Sequence, residues 1–480
     1  MLNSRATPAV LEVPARNFEE RTRRGREARE RVPRALHGQW SAADDRPDPV
    51  GLLELQAESR VPELLPIRYG RMAVSPLTFY RGSAAIMAAD LAGAPVSGIT
   101  VQLCGDAHLS NFGVFGSPER TVVFDINDFD ETLPGPWEWD VMRLAASFEI
   151  AGRCRGFTAK QSHDIVIGVV HGYRAQMQQA ASAGVLDAWY DRVEADLVIQ
   201  WMRDERKAHK LTRKQIYRTG EVLAKARTRD SMGSFRKLVE VRDGQIRFKS
   251  DPPLLEPIED VAPDRASQDR IEYAMQGLLE SYQKTLINRP HPGGEFSYVH
   301  MARKVVGVGS VGTRAWVALL TGRSDNDPLI LQAKEAQASV LEPYLGASKY
   351  RHNGKRVVMG QRRMQASSDI FLGWQSAKGI DSVPRDYYIR QLHDWKGSVD
   401  VDNVSVAGAE LYGRVCGGTL ARAHARTGDR VAIATYLGRG DQFDRAIAQF
   451  ASTYADQNEK DYNALLAAIA SGRLQALHGT

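Results

Sequence analysis

Cysteine is scarce in this sequence of 480 residues: there are three, Cys104, Cys154 and Cys416, widely spaced and without a CxxC pair. That pattern excludes a disulfide framework and a CxxC-type structural zinc site, and fits a reducing cytoplasm. No run of about 18 apolar residues occurs, and the N-terminus lacks a charged-then-apolar signal pattern, so we expect neither a membrane span nor secretion. Charge of one sign is missing too. The 63 Lys and Arg against 58 Asp and Glu leave a formal +5, a weak basic bias compatible with anionic ligands and short of a nucleic-acid signature. No internal repeat or low-complexity tract is present. The length accommodates a large core divided among several lobes.

Four segments follow from texture. Residues 1–60 form an Arg-rich extension whose RNFEERTRRGREARERVPR reads as a solvated helix packed loosely on the body. Residues 61–290 read as mainly helical, with apolar residues at helical spacing over Asp140–Gly152, Ala159–Ala183, Leu186–Ala208, Lys214–Ala226 and Gln268–Leu286. Within them, Arg68, Arg71 and Arg81 crowd a predicted loop, where they either pair with acids or face a phosphate. DGQIRFKSDPPL reads as a hairpin and a Pro-rich turn. Residues 291–400 read as a small antiparallel sheet, with further strands expected at Arg356–Met359 and around Ile370–Leu372. Arg362, Arg363 and Lys396 fall on predicted turns. Residues 401–480 return to helix over Val406–Ala425 and Asp441–Ala470 and are expected to pack on the helical lobe.

The densest chemistry lies in Val101–Ser147, VQLCGDAHLSNFGVFGSPERTVVFDINDFDETLPGPWEWDVMRLAAS. Two predicted strands deliver Asp106, Asp125, Asp128, Asp130 and Glu131 close together. Carboxylates so placed repel unless a cation or proton lies between them, which points to a divalent metal, most simply Mg²⁺. Asp125 reads either as a second metal ligand or as an acid capping a turn. His108 reads as a loop-stabilising hydrogen-bond partner, and His424 as a packed or capping histidine.

A second motif arrives roughly 200 residues later. Gly307-Val-Gly309-Ser-Val-Gly312 matches G-x-G-x-x-G, but Thr313-Arg-Ala-Trp-Val-Ala-Leu-Leu after it reads as a strand, not the helix of a dinucleotide fold. Strand, glycine loop, strand is the arrangement that folds a hairpin over nucleotide phosphates. The next predicted strand ends in Lys334, placed to contact α- and β-phosphates.

These residues carry a resemblance. Gly105-Asp106-Ala-His-Leu-Ser-Asn111 is similar to the H-G-D-x-x-x-x-N loop of aminoglycoside and choline phosphotransferases, relatives of the protein kinases, with Cys104 in place of the histidine. Asp128-Phe-Asp130-Glu131 through Pro136-Trp-Glu-Trp-Asp140-Val-Met-Arg-Leu-Ala is similar to their I-D-x-x-D…P-x-x-D-L-A segment. The resemblance implies Asp106 as catalytic base, Asn111 and Asp128 as metal ligands, and Asp140 as a buried support for the loop. From about Pro62 onward, RYGRM, FYRG, CGDAHLSNFG, FDINDFDETLPGPWEWD, GVGSVGTR and LARAHARTGD resemble the bacterial family catalogued as domain of unknown function 2252. The kinase-like order is inverted, with the glycine loop after the catalytic-type loop; a circular permutation reconciles the two.

The expected fold is therefore α+β: a two-lobed, protein-kinase-like arrangement in permuted order, with a small antiparallel sheet lobe and a large helical lobe. The expected ligands are ATP, Mg²⁺ and a hydroxyl-bearing small molecule, with no specific nucleic-acid binding. Asp106 is the expected catalytic residue, Asn111, Asp128 and Asp125 the expected metal ligands, and Gly307, Gly309, Gly312 and Lys334 the expected nucleotide contacts. Glu342 is the candidate partner of Lys334. A nucleotide-binding pseudoenzyme, a nucleotidyl transferase using the same cleft and a metal-dependent phosphoesterase are the alternatives.

Overall fold

Helical periodicity after Pro136 and in the C-terminal part builds the larger portion of the molecule. The computed structural model describes residues 11, 17–207, 231–287, 292–305, 307–324, 326–379, 381–392, 397–477 and 479. Helices Trp137–Cys154, Ala159–Ser182, Val406–Thr427, Arg430–Leu437 and Gln442–Ala470 share one apolar core. Three of them start on side-chain caps: Thr158 forms a capping box with Gln161, Ser405 accepts from the Gly408 amide, and Asp429 accepts from the Ala432 amide. Each cap satisfies a backbone donor that the first helical turn leaves open.

Two short antiparallel ribbons are laid against this core. Thr100–Leu103 pairs with Leu133–Pro136, and Phe112–Gly116 pairs with Val122–Ile126. The acidic stretch is thereby folded back on itself, with its turns at one end of the helical body.

The rest of the sheet structure is mainly one six-stranded antiparallel sheet in the order Gly373–Lys378, Pro384–Gln391, Pro328–Ala336, Ala315–Thr321, Ser297–Lys304, Leu255–Pro257. Side chains on a strand alternate between faces. Trp316, Ala318 and Leu320 accordingly join Met275, Leu278 and Tyr282 of helix Arg265–Tyr282 in one core, while Val317 and Leu319 join Phe248 and Leu255 in another. Burial on both faces explains why these strands read as nearly continuous apolar runs. The sheet also draws in Leu255–Pro257 from before residue 291. The molecule is mixed α+β with small antiparallel sheets, and no described helix is long and apolar enough to cross a membrane.

Several expectations are corrected. Arg356–Met359 is not a strand but part of helix Asn353–Met364, capped by His352, and Arg362 and Arg363 lie in its last turn. Its buried positions Val357, Val358, Gln361 and Met364 have helical spacing that a four-residue window cannot show. Ile370–Leu372 precedes a strand that begins at Gly373. Leu186–Ala208 is broken: Val193–Glu194 adds a short edge to the Val122–Ile126 hairpin before helix Ala195–Lys207 begins. Arg68, Arg71 and Arg81 stand on helices Leu65–Met72 and Pro76–Gly82, not a loop. Helix Phe18–Arg31 is not loosely attached. Arg21 pairs with Asp429 at 2.7 Å, and a Cβ at Gly25 would meet the Ala432 carbonyl at 2.4 Å. The Asp243-Gly244 hairpin is present, between Val239–Arg242 and Gln245–Phe248. The helix expected at Lys214–Ala226 and the turn with Lys396 lie outside the described residues.

Helices Ala159–Ser182 and Val406–Thr427 approach closely enough that a Cβ at Gly417 would meet the Val169 carbonyl at 2.0 Å, whereas at Gly418 the nearest atom is the mobile end of Arg422 at 3.4 Å. Gly417→Ala is expected to destabilise by about 1–3 kcal/mol through overpacking, and Gly418→Ala to be neutral or slightly stabilising. Chemical denaturation of the two variants beside the parent checks this, and equal effects would remove the close-approach account.

Candidate functional site

The Gly105-Asp106 turn is held from beneath by Asp140. Its carboxylate accepts the Cys104 amide at 2.8 Å and the Gly105 amide at 3.1 Å, and His424 Nε2 lies 3.2 Å from it. Tyr173 in turn contacts His424 Nδ1 at 2.9 Å. Gly105 has φ +84°, and a Cβ there would meet the Glu131 carbonyl at 2.4 Å, so the turn requires glycine twice over. Asp140 and His424 are thus the buried scaffold of the loop.

Asp106 emerges from that turn into a cavity of about 710 Å³. Arg143 donates to its Oδ1 from Nε at 2.9 Å and pairs with it through a terminal nitrogen 2.8 Å away that donates to the Tyr80 carbonyl, while Oδ2 faces His108 Nε2 at 3.7 Å. The side chain keeps 21% of its surface exposed, which leaves an oxygen accessible from the cavity. Burial pushes the carboxyl above the ordinary aspartate value, and Arg143 and Arg81 counter that in part. His108 accepts the Ser110 amide at Nδ1, 3.2 Å, the loop-stabilising role expected of it. Burial, with Arg81 and Arg143, keeps its imidazole neutral.

Asn111 lines the same cavity, its Nδ2 donating to the Asp106 carbonyl at 2.9 Å and so orienting the amide. Asp128, also on the cavity wall, accepts the Asp130 amide at 3.1 Å; among the described residues no cation forms an ion pair with it. Burial and the neighbouring Asp130 push its carboxyl up, against the pull of Lys334 and Arg390. An amide oxygen and an under-neutralised carboxylate are hard oxygen donors of the kind Mg²⁺ accepts. Among the described residues no group of three or more His, Cys, Asp or Glu is placed to hold a metal ion, so an ion here would complete its shell with water or ligand oxygens.

The opposite wall is the glycine loop. It joins the antiparallel strands Ser297–Lys304 and Ala315–Thr321, and Gly307, Gly309 and Ser310 line the cavity. Gly307 has φ +68°, and its carbonyl accepts from Arg71 at 2.7 Å. Gly312, φ +91°, does not line the cavity; its carbonyl accepts the Val61 amide at 2.8 Å. Lys334 sits inside strand Pro328–Ala336, buried, and reaches the cavity through an ion pair with Asp130. Tyr388 donates to the other oxygen of Asp130 at 2.7 Å. Burial opposes charge on Asp130, but Lys334, Tyr388 and Arg390 outweigh it and hold the carboxyl below its ordinary value. Glu342, the candidate partner of Lys334, instead accepts the Ser339 amide at 3.3 Å and lies 3.9 Å from Arg356.

Five of the sequence candidates therefore share one cavity: Asp106, Asn111, Asp128, Gly307 and Gly309. Lys334 adjoins it; Gly312 and Asp125 stand apart. Asp125 is buried on its strand, its own Oδ1 accepts the Ile126 amide, and its nearest influential charges are Arg426 and Arg422; burial pushes its carboxyl up to about 6. Residues not singled out from sequence complete the site. Arg143, one helical turn beyond Asp140, shares the inward face of its helix. Tyr388 and Arg390 are two apart on Pro384–Gln391, a period-two signal that YYIRQ carries. Arg356 donates to the Thr132, Asp130 and Gln337 carbonyls at 2.7–2.8 Å, and only the fold could show it.

Because Lys334 helps hold Asp130 below its ordinary value, the pair stabilises the fold above the ordinary aspartate range; that contribution is lost as pH falls through the lowered value. Lys334→Met leaves a partly buried carboxylate without its ion pair and is expected to cost about 1–3 kcal/mol at neutral pH. Adding Asp130→Asn should recover most of it. Urea denaturation of the single and double variants tests the coupling, and additive effects would refute it.

A sequence model of the family described as "Uncharacterized protein conserved in bacteria (DUF2252)" matches residues 60–468. No curated protein and no solved structure matches the chain.

Proposed function

Starting from a chain that belongs to the DUF2252 family and carries this cavity, we propose that it is an ATP- and Mg²⁺-dependent phosphotransferase acting on a hydroxyl of a small molecule. One observation carries the reading: residues of two motifs roughly 200 residues apart in sequence line a single cavity. A volume of about 710 Å³ suits a nucleotide-sized ligand. In this reading the two walls are the two lobes of a protein-kinase-like arrangement, written in circularly permuted order.

The roles follow from chemistry. Phosphoryl transfer asks the protein for position and electrostatics more than for covalent participation. Backbone amides of Gly307–Gly309 cradle the phosphates without Cβ obstruction, and Lys334, steadied by Asp130, supplies the cation next to them. Asn111 and Asp128 would hold Mg²⁺, which would neutralise phosphate charge when bound. Asp106, steadied by Arg143, orients the acceptor hydroxyl and takes its proton. The hydroxyl oxygen bonds to the γ-phosphorus as the bond to the bridging oxygen breaks and ADP leaves.

A second reading has its own support. The hydrogen bond and ion pair from Arg143 to one oxygen of Asp106 weaken that carboxylate as a base, as in a nucleotide-binding pseudoenzyme that senses ATP without turning it over. Calorimetry with ATP and Mg²⁺ paired with turnover over an acceptor panel separates the two, since binding without turnover favours the sensor.

Asp128→Asn is expected to abolish Mg²⁺-dependent nucleotide turnover and leave the circular dichroism spectrum unchanged; an undiminished rate would remove the metal role. The raised value of Asp106 places the acid limb of kcat/KM above the ordinary aspartate range. Arg143→Met takes away a cation that lowers that value, so the limb should move further up in pH. A limb that stays put in Arg143→Met would dissociate Asp106 from the titration.

A further inference from the structure

Among the described residues lining the cavity, Arg81 differs from the other arginines. Arg60 donates to the Val311 carbonyl, and Arg385 pairs with Asp381 at 2.5 Å. The Arg81 guanidinium makes no hydrogen bond and no ion pair with a described residue, and its Nε is buried without an acceptor. Leaving the buried Nε–H without an acceptor is costly, and the half-buried guanidinium makes no other bond, so the position calls for a partner that the chain does not itself supply.

Its surroundings say where that partner sits. Arg81 stands in the last turn of helix Pro76–Gly82, and its own carbonyl lies 3.1 Å from where a Cβ at Gly309 would be. The carboxylates whose charge reaches it are Asp106 and Asp402, and burial lowers its affinity for the proton despite them. Asp106 is already answered by Arg143, and His108 beside it is neutral. Asp402 forms no ion pair with Arg81 among the described residues, so neither carboxylate closes the guanidinium off. Arg60 feels Glu131, Asp130 and Glu335, and Lys334 is paired with Asp130. Arg81 is therefore the cavity arginine left open, within reach of the charge of the proposed base.

We propose that Arg81 recognises an oxyanion, a phosphate or carboxylate, carried by the acceptor on the same molecule as the hydroxyl that Asp106 orients. The proposal rests on the phosphotransferase reading for its acceptor, and it narrows the substrate class to anionic hydroxyl compounds. A planar guanidinium with open donors suits a two-point contact with either group.

Titration calorimetry with inorganic phosphate tests this on the full chain, first alone and then with Mg²⁺ and a non-hydrolysable ATP analogue at saturation. The parent should bind phosphate in both conditions. Arg81→Met should weaken phosphate by about ten-fold or more, the loss of a charge-assisted contact, and Arg81→Lys by less. Thermal stability of Arg81→Met should be unchanged or higher, because no described residue depends on the guanidinium; a purely structural arginine would lower it. Phosphate binding that is absent from the parent, or indifferent to Arg81→Met, overturns the proposal. Displacement of phosphate by the analogue also overturns it, by giving the oxyanion to the nucleotide. If the analogue fails to bind while Arg81-dependent phosphate binding persists, the oxyanion site stands and the phosphotransferase reading falls.

Discussion

The ion pair between Lys334 and Asp130 is the interaction on which the site depends. Lys334 is buried in the six-stranded sheet, Asp130 in the acidic stretch is three-quarters buried, and neither finds another ion-pair partner among the described residues. A buried charge without its counter-ion is strongly destabilising, so the sheet and the helical body must meet where these two residues coincide. Tyr388 tightens the contact from the neighbouring strand, and Arg356 ties three carbonyls around it. Registration of the two walls, and the shape of the cavity between them, follows from that constraint.

A second constraint is local. Asp140 reads the backbone of the Cys104-Gly105 turn with both carboxylate oxygens, His424 on helix Val406–Thr427 holds Asp140, and Tyr173 on helix Ala159–Ser182 holds His424. The position of Asp106 is thus set by a chain of hydrogen bonds running deep into the helical core. A reactive carboxylate on a turn is positioned only as well as the turn is, and here the turn is anchored on helices.

Sequence alone carried the main parts of this site. The apolar runs Ala315–Thr321 and Pro328–Ala336, the glycine loop between strands and the long amphipathic helices are all local patterns, imposed by strand, turn and helix geometry over a few neighbouring residues. Asp106 and Asp128 were legible as candidates for the same reason, because strand-end turns deliver acids within a short span. Asn111 and the supporting role of Asp140 were implied by the resemblance to the phosphotransferase motifs. Local pattern failed at Arg356–Met359, where Arg-Val-Val-Met suits a strand, yet burial of one helical face against the sheet and Thr132 decided for a helix.

What only the tertiary structure decided is pairing across distance. That Lys334 meets Asp130 and not Glu342, that Arg143 clasps Asp106, that Asp125 turns toward Arg422 and Arg426, and that Arg81 is left without a described partner all depend on contacts between segments tens to hundreds of residues apart. Charge pairing has no period and no spacing rule along the chain. It is fixed by which surfaces the hydrophobic cores bring together, and those cores are assembled from the helices and strands that the sequence does specify.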